Sequence, residues 1–317
     1  MNKTSLTMGM PVYNEEKYIG EAIESLLAQT YKDFILIISD NASGDKTQQI
    51  CEDYAKKDKR IVYVRHEKNK GGVFNFHYVL EQTTTPYFMW CAGHDKWHPL
   101  FVEKLLPALG KDNIILSYSE VGQIRFDGAN GTLRGTSECN YDTTAVDNPA
   151  KRLFCLLRLL NEGSMFHGIW LTQALKNCDF DIKTHFFDST ILEQASLEGK
   201  FKQNKEVLFW LRLVRLPETG SQAEKRWFMD ITGKKSVTVS DINTLKITYL
   251  FESVKIIFRK KYPMPMIVKI WLAAATIYYK SIILFVLPAA RVVLKKLLPQ
   301  KTFLQLKELW HKNNYKG

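Results

Sequence analysis

The first hundred residues alternate between short apolar runs and segments with apolar side chains at helical spacing. Phe34–Ile38 is an unbroken apolar run, which is typical of a strand buried on both faces. Lys17–Gln29 repeats apolar side chains at intervals of three and four residues and is predicted to be a helix. The same patterns predict strands at Ser5–Met10, Ile61–Val64 and Tyr87–Cys91, and helices at Asp45–Lys57, Gly72–Gln82 and His98–Leu109. This order indicates an α/β fold with a mostly parallel sheet flanked by helices.

The second hundred residues carry a weaker pattern. Turn signals at Asp127-Gly128 and Asn130-Gly131 predict one hairpin within residues 113–148. Further elements are predicted as helices at Pro149–Asn161 and Phe187–Leu197, and as one or two strands at Phe201–Leu213.

The pattern changes again after Arg226. Leu245–Arg259 is predicted to be an amphipathic helix, and a basic amphipathic stretch follows at Arg291–Trp310. Between them, Met266–Leu287 is long and apolar enough to be tested as a membrane span, but it carries two lysines. A lysine near the middle of a span costs about 2.5–3.5 kcal/mol. The favoured interpretation is a helix in the plane of a membrane; a helix packed on the protein body and a true span are the alternatives.

Charge is distributed unevenly along the chain. The whole chain has a formal net charge of +11; residues 225–317 hold 18 Lys+Arg and 4 Asp+Glu, or +14, which leaves −3 for the first 224 residues. Apolar faces beside such a basic segment favour a membrane surface with anionic lipid as the partner. They argue against nucleic acid, which favours basic segments that are less apolar.

Cysteine usage and the amino terminus bear on the compartment. The five cysteines form no CxxC pair, which favours a reduced chain over a disulfide framework or a zinc site. No long apolar segment precedes the first predicted strand. We therefore expect the cytoplasmic face of a membrane, with peripheral or monotopic attachment.

Polar motifs follow the predicted strands at their carboxyl ends, where open α/β sheets bind ligands. They are Pro11–Glu15, Ser39–Thr47, the segment from Arg65 to Asn75, and Ala92–Asp95. An aspartate such as Asp40 could accept a hydrogen bond from a nucleotide base.

In this order and spacing, the four loops resemble those of family 2 glycosyltransferases of the GT-A fold, of the non-processive bacterial polysaccharide type. The resemblance is strong over residues 4–110 and weak over 111–215. It implies a GT-A domain at 1–225, with a nucleotide-sugar-binding half at 1–110 and an acceptor half at 111–225. A basic, amphipathic tail at 226–317 would follow.

The resemblance also implies a function. The chain would be an inverting glycosyltransferase that moves a sugar from a nucleotide-sugar donor, by default a UDP-sugar, to a saccharide or polyprenyl-linked acceptor in polysaccharide synthesis. Its predicted nucleotide-sugar site comprises Pro11, Tyr13, Glu15, Asp40, Arg65, Asn75, Gly93 and His94. The simpler alternatives are that Asp40 shapes a turn, that Asp45 caps a helix and that Arg65 is a solvated charge.

The fourth loop is the expected metal site. The family pattern is Asp-x-Asp, often followed by a further Asp, and this sequence has Ala92 and His94 where acids are usual. Asp95 and His94 are therefore the predicted ligands of a divalent metal, Mn or Mg. Because imidazole favours Mn over Mg, a manganese preference is one consequence of this ligand set. The alternatives are that His94 hydrogen-bonds phosphate, that the metal site is weakened, or that His94 only occupies a position in the loop.

The resemblance assigns the catalytic base to Asp188, which precedes a predicted helix. A base is needed to take the proton of the acceptor hydroxyl. The alternative for Asp188 is a helix cap alone. For the whole chain, the alternatives are a non-catalytic nucleotide-sugar-binding relative, a nucleotidyltransferase and, least favoured, a nucleic-acid-binding protein.

Overall fold

The structure is a computed structural model that describes residues 5–127, 130–137, 141–157, 164–180, 187–213, 225, 229, 236–259 and 261–281. The strands are β1 Leu6–Val12, β2 Phe34–Asp40, β3 Ile61–Arg65, β4 Tyr87–Trp90, β5 Lys96–Trp97, β6 Ile114–Asp127, β7 Asn130–Ser137, β8 Ile169–Leu171 and β9 Lys200–Leu213. The α-helices are α1 Ile19–Leu27, α2 Thr47–Lys57, α3 Gly72–Glu81, α4 Phe101–Leu105, α5 Pro149–Leu157, α6 Thr172–Lys176, α7 Phe187–Glu198, α8 Val239–Phe258 and α9 Met266–Ser281.

The strands form one mixed sheet in the order β3-β2-β1-β4-β8-β6-β9-β5, with β7 paired to β6. The first four strands are mutually parallel, as the alternating pattern predicted. The chain moves from β1 outwards to β2 and β3, and then returns to place β4 on the other side of β1. This reversal of direction creates the crevice at the carboxyl ends of β1 and its neighbours where ligands bind.

The predicted hairpin is confirmed. Strands β6 and β7 are antiparallel, and Asp127 pairs with Asn130 across the turn. Phe201–Leu213 lies in one strand, β9, whose pairing with β6 shifts register three times. The helix predicted at His98–Leu109 is shorter, because α4 passes into a 3-10 turn at Leu106–Ala108, which contains Pro107.

Helices α8 and α9 pack against the body of the protein. Ile256 and Ile257 of α8 and Leu272 of α9 share a core with Leu153 of α5 and Leu197 of α7. The packed alternative therefore holds for one side of these helices. No helix within the described ranges is both long and apolar enough to cross a membrane. The basic stretch Arg291–Trp310 and the end of Met266–Leu287 lie outside the described residues.

Candidate active site

The loops after β1 and β2 are joined by hydrogen bonds. The backbone N–H of Asn14 donates to Ser43 Oγ at 2.9 Å, and that of Glu15 donates to Thr47 Oγ1 at 2.8 Å. Asn14 adopts a left-handed backbone conformation with φ of 56°, one that asparagine tolerates better than most residues. Asp45 accepts from the N–H of Thr47, the first residue of α2, at 3.0 Å, as expected of a residue at a helix start.

Asp40, the last residue of β2, is fully buried, and both carboxylate oxygens have protein donors. Oδ1 accepts from the N–H of Ser43 at 2.8 Å and from its hydroxyl at 2.6 Å. Oδ2 accepts from Tyr63 Oη and from Arg65 Nη1, each at 2.7 Å. Asp40 therefore organises the loop after β2 and fixes Arg65, whose side chain is one-third exposed at 33%. Direct contact of Asp40 with a base stays a prediction.

The third loop is tied to the second through amide side chains. Asn41 Nδ2 donates to Asn69 Oδ1 at 2.9 Å, and Asn69 Oδ1 also accepts from the N–H of Gly71 at 2.8 Å. Gly71 has a φ of 88° and directly precedes α3, so glycine suits this turn. Asn75 lies beneath the loops: it is buried and donates to the Ser39 carbonyl at 2.8 Å. This arrangement supports the loops from inside.

Two further predicted residues differ sharply in exposure. Pro11 is buried within β1 and pairs with Ser39 of β2, and its contact with the nucleotide-sugar stays a prediction. Tyr13, two residues later, is 48% exposed and offers an aromatic face at the mouth of the crevice. Tyr13 can therefore supply the apolar platform that a nucleotide base needs.

The first and fourth loops meet through Glu15 and His94. Glu15 Oε1 lies 2.9 Å from His94 Nδ1. Gly93 permits this approach, since a Cβ there would lie 3.0 Å from Val12 Cγ1 and 3.1 Å from Glu15 Cγ. Burial acts to lower the pKa of His94, but the hydrogen bond to Glu15 and the charges of Asp95 and Glu15 outweigh it and raise that pKa. The imidazole consequently retains its proton to a higher pH than an ordinary histidine.

Asp95 is buried and is held by a distant strand. Its Oδ1 accepts from the N–H of Arg212 in β9 at 2.8 Å. The Arg212 side chain donates to the His94 carbonyl at 2.8 Å and to Glu21 Oε2 at 2.5 Å. Burial raises the pKa of the Asp95 carboxyl, against the opposing charges of His94 and His167.

Neither Arg212 nor Glu21 is among the site residues predicted from the sequence. The signal lies in long-range pairing: β5, which directly follows the fourth loop, pairs with β9 at Phe209 and Trp210. No spacing along the chain encodes this pairing.

His167 connects the fourth loop to the predicted base. Its Nδ1 lies 3.4 Å from the carbonyl oxygen of Trp90, and its ring stacks on Phe209 at 5.4 Å. Burial lowers the pKa of His167, while the charges of Asp95 and Asp188 act to raise it. The charges of the predicted base and of the predicted metal ligand therefore both act on this imidazole.

Asp188 stands in the first turn of α7, and its Oδ1 accepts from the N–H of Ser189 at 2.7 Å. Burial raises the pKa of the Asp188 carboxyl, with the Ser189 N–H and the charge of His167 opposing. The carboxylate thus contacts the start of the helix and has the raised pKa expected of a base. His185, the other histidine near this helix, lies outside the described residues.

Residues 7–153 match the sequence model of Glycosyl transferase family 2, just under half of the chain. This part of the chain is similar to family 2 glycosyltransferases. Among its relatives is TuaG of Bacillus subtilis, whose name proposes a role as a teichuronic acid biosynthesis glycosyltransferase. It is 30% identical over 118 residues, or 37% of this chain and 47% of the relative. The chain spans from about a fifth to a half of the length of the curated relatives it matches.

The GT-A fold of this chain is shared with solved structures. S. aureus TarS residues 1–349 in complex with UDP superposes with a TM-score of 0.64 at 16% identity, covering 91% of this chain and 75% of that one. The mannosyltransferase PcManGT of Pyrobaculum calidifontis, in complex with GDP-Man and Mn2+, superposes with a TM-score of 0.55 at 13% identity, covering 98% and 81%. At these identities the likeness shows the fold.

The fourth loop of this chain offers few metal ligands. Within the described ranges, no group of three His, Cys, Asp or Glu side chains could hold a metal ion. Asp95 uses Oδ1 for Arg212, and His94 uses Nδ1 for Glu15. Asp95 Oδ2 and His94 Nε2 are the atoms of these side chains that could hold a cation; the imidazole would have to be neutral, and the other ligands would come from a diphosphate.

Proposed function

We propose that this chain transfers a sugar from a nucleotide-sugar donor to a hydroxyl of a saccharide acceptor, with inversion at the anomeric carbon. The observation that carries the proposal is the contact of Glu15 with His94 beside buried Asp95, which gathers polar groups at the carboxyl edge of β1 and β4. The match of residues 7–153 to the family 2 model supports a transferase over a nucleotidyltransferase.

The donor would bind across the first two loops. Exposed Tyr13 would pack on the base, and Glu15 is close enough to the crevice to accept from ribose hydroxyls. Arg65, which Asp40 holds in place, would face the nucleotide with its exposed part. UDP is the proposed nucleotide, and the UDP complex of the TarS structure supports this choice.

Asp95 and His94 would hold a divalent cation, Mn or Mg, together with the donor diphosphate. Such a cation neutralises the charge that develops on the departing diphosphate. The His94 imidazole supports a preference for Mn, and the Mn2+ in the complex of PcManGT, a protein of similar fold, supports the same choice.

Asp188 would act as the base. Its carboxylate takes the proton of the acceptor hydroxyl, the oxygen attacks the anomeric carbon, and the bond to the diphosphate breaks with inversion. His167, near both Asp188 and Asp95, would help to place the acceptor between the base and the donor.

The acceptor is proposed to be a saccharide on a polyprenyl carrier, used at the cytoplasmic face of a membrane in cell-surface polysaccharide synthesis. The proposed role of TuaG in teichuronic acid biosynthesis supports this class. The basic excess of residues 225–317 supports a membrane-bound acceptor over a freely diffusing one.

Calorimetric titration with UDP in the presence of Mn or Mg tests the donor site. We expect metal-dependent binding that Asp95→Asn weakens at least tenfold, because the amide keeps an oxygen for the Arg212 N–H but loses the negative charge. Asp53→Asn, on the exposed side of α2, is the matched control and should bind normally. Absence of binding to UDP, GDP and dTDP would contradict the transferase, whereas tight binding without turnover would favour the non-catalytic relative.

A further inference from the structure

Exposed large apolar side chains are concentrated on the two carboxyl-terminal helices. Among the described residues nine such side chains are exposed, and seven of them belong to α8 or α9. They are Ile247, Phe251 and Phe258 of α8 and Met266, Ile267, Ile270 and Trp271 of α9. The remaining two, Tyr13 and Val62, lie in the β1 loop and on β3.

On each helix these side chains share one face. Ile247, Phe251 and Phe258 recur at intervals of four and seven residues, and Ile267, Ile270 and Trp271 at intervals of three and one. The opposite faces carry side chains that pack on the body, such as Ile256 of α8 and Leu272 of α9. Trp271 is half exposed and also contacts the ring of Phe154 in α5, with 4.7 Å between the ring centroids. Because α8 and α9 pack against each other, their apolar faces lie on neighbouring helices.

The apolar side chains of this face are more exposed to solvent than is usual on a protein surface. Ile267 is 73% exposed, Met266 63%, Phe251 62% and Trp271 52%. Surface helices normally direct such residues towards the core and polar residues outwards. A cluster of this kind marks a site of interaction with another apolar surface.

Charge selects the occupant. Residues 282–317, which follow α9, hold seven Lys+Arg and one Asp+Glu, and residues 225–317 as a whole carry +14. A second copy would bring an equal positive charge to the interface and be repelled. A bilayer containing anionic lipid supplies both an apolar layer and the opposite charge, and Trp and Lys are favoured at its boundary.

We infer that this apolar face of α8 and α9 is the membrane-binding surface of the chain, with an anionic lipid bilayer as its partner. The helices lie in the plane of the membrane, with Phe251, Ile267, Ile270 and Trp271 in the acyl boundary. The inference deepens the proposed function, which requires a membrane-bound acceptor, but binding to lipid is measured without turnover.

Flotation of the full chain with lipid vesicles tests the inference. The vesicles are phosphatidylcholine alone, or phosphatidylcholine with 30% phosphatidylglycerol as a chosen composition. We expect binding to the anionic vesicles, at least tenfold weaker binding to the neutral ones, and a further tenfold loss in the double variant Ile267→Glu/Ile270→Glu. Val62→Glu, which places the same charge on an exposed apolar site of β3, is the matched control and should bind as the wild type does.

Two results would overturn the inference. One is vesicle binding that the double variant leaves unchanged. The other is a wild-type dimer in light scattering that the double variant converts to a monomer, with no binding to either vesicle, since the occupant would then be a second copy. UDP titration of the double variant separates this inference from the proposed function: normal UDP binding with lost vesicle binding supports the surface alone, and failure of UDP binding in every variant leaves the vesicle result intact.

Discussion

Asp188 is a carboxylate whose environment suits a base. It lies in the first turn of α7, and burial raises the pKa of its carboxyl. A base must be deprotonated to act, so activity should be lost as pH falls through this raised pKa. The acid limb of the pH profile of kcat/KM should therefore lie above the ordinary value for aspartate, about 3.9.

Asp188→Asn tests this assignment directly. The amide preserves the shape and an acceptor for the Ser189 N–H, but it cannot take a proton. We expect kcat to fall about 10²–10⁴-fold, with the acid limb removed and UDP binding unchanged. A helix cap alone would instead predict a loss of stability with normal kcat at low temperature, and that outcome would contradict the base.

Substitution of Arg65 tests whether its ion pair with Asp40 stabilises the second loop. Removing the guanidinium with Arg65→Met leaves a buried carboxylate with one donor fewer, and we expect unfolding to become easier by about 2 kcal/mol in urea titrations. The pair is partly screened because Arg65 is one-third exposed, which keeps the cost below that of a fully buried pair. Arg60→Met, which breaks the partly exposed pair with Asp58, is the control and should cost less.

Part of the site could be predicted at the level of residues. Glu15, His94 and Asp95 were placed together because carboxyl ends of parallel strands share one sheet edge. Asn75 was also predicted to contact the nucleotide, which stays a prediction; in the structure its amide is buried and hydrogen-bonds Ser39. Residue type marks a polar position near the edge, but side-chain direction depends on packing that no local pattern specifies.

At the scale of elements, α8 holds α7 in place. Arg259, which directly follows α8, donates to Gln194 Oε1 of α7 at 2.7 Å and pairs with Asp179. Within α8, Tyr249 Oη lies 3.5 Å from Glu193 Oε1 in a buried contact. Because α7 begins at the predicted base, the seating of α8 bears on the position of Asp188.

We expect Arg259→Met to lower the free energy of unfolding by about 1–2 kcal/mol, since it removes a charged hydrogen bond to α7. It should also reduce kcat several-fold while leaving UDP binding intact, because the donor loops are remote in sequence from this contact. Lys255→Met, which breaks an exposed pair with Glu252 on the same helix, is the matched control. Equal losses in both variants would indicate a general effect of charge on the helix.

Helices and strands with a strong local pattern could be predicted from the sequence. The pairing of the strands in the sheet was harder to predict. The first four strands and α1 to α3 followed from apolar periodicity, and the tail helix was found but begins earlier, at Val239. A capping box between Thr238 and Asp241 sets that start, with Thr238 Oγ1 accepting from the Asp241 N–H at 3.1 Å. The short strands β5 and β8 were missed because two or three residues carry no periodicity.

In the whole molecule, residues 1–224 carry a net charge of −3 and residues 225–317 a net charge of +14. This separation of charge predicts an effect of salt on activity. Raising salt from about 0.1 M to 1 M shortens the screening length from about 10 Å to 3 Å and weakens attraction to anionic lipid. With a polyprenyl-linked acceptor in anionic vesicles, we expect the rate to fall at least tenfold over this range. With a short soluble acceptor the rate should change little, because the donor site and Asp188 are unaffected by lipid.

The double variant Ile267→Glu/Ile270→Glu should show, at low salt, the rate that the wild type shows at high salt. An equal salt effect on both acceptors would locate the sensitivity in the donor site and contradict a role for the tail.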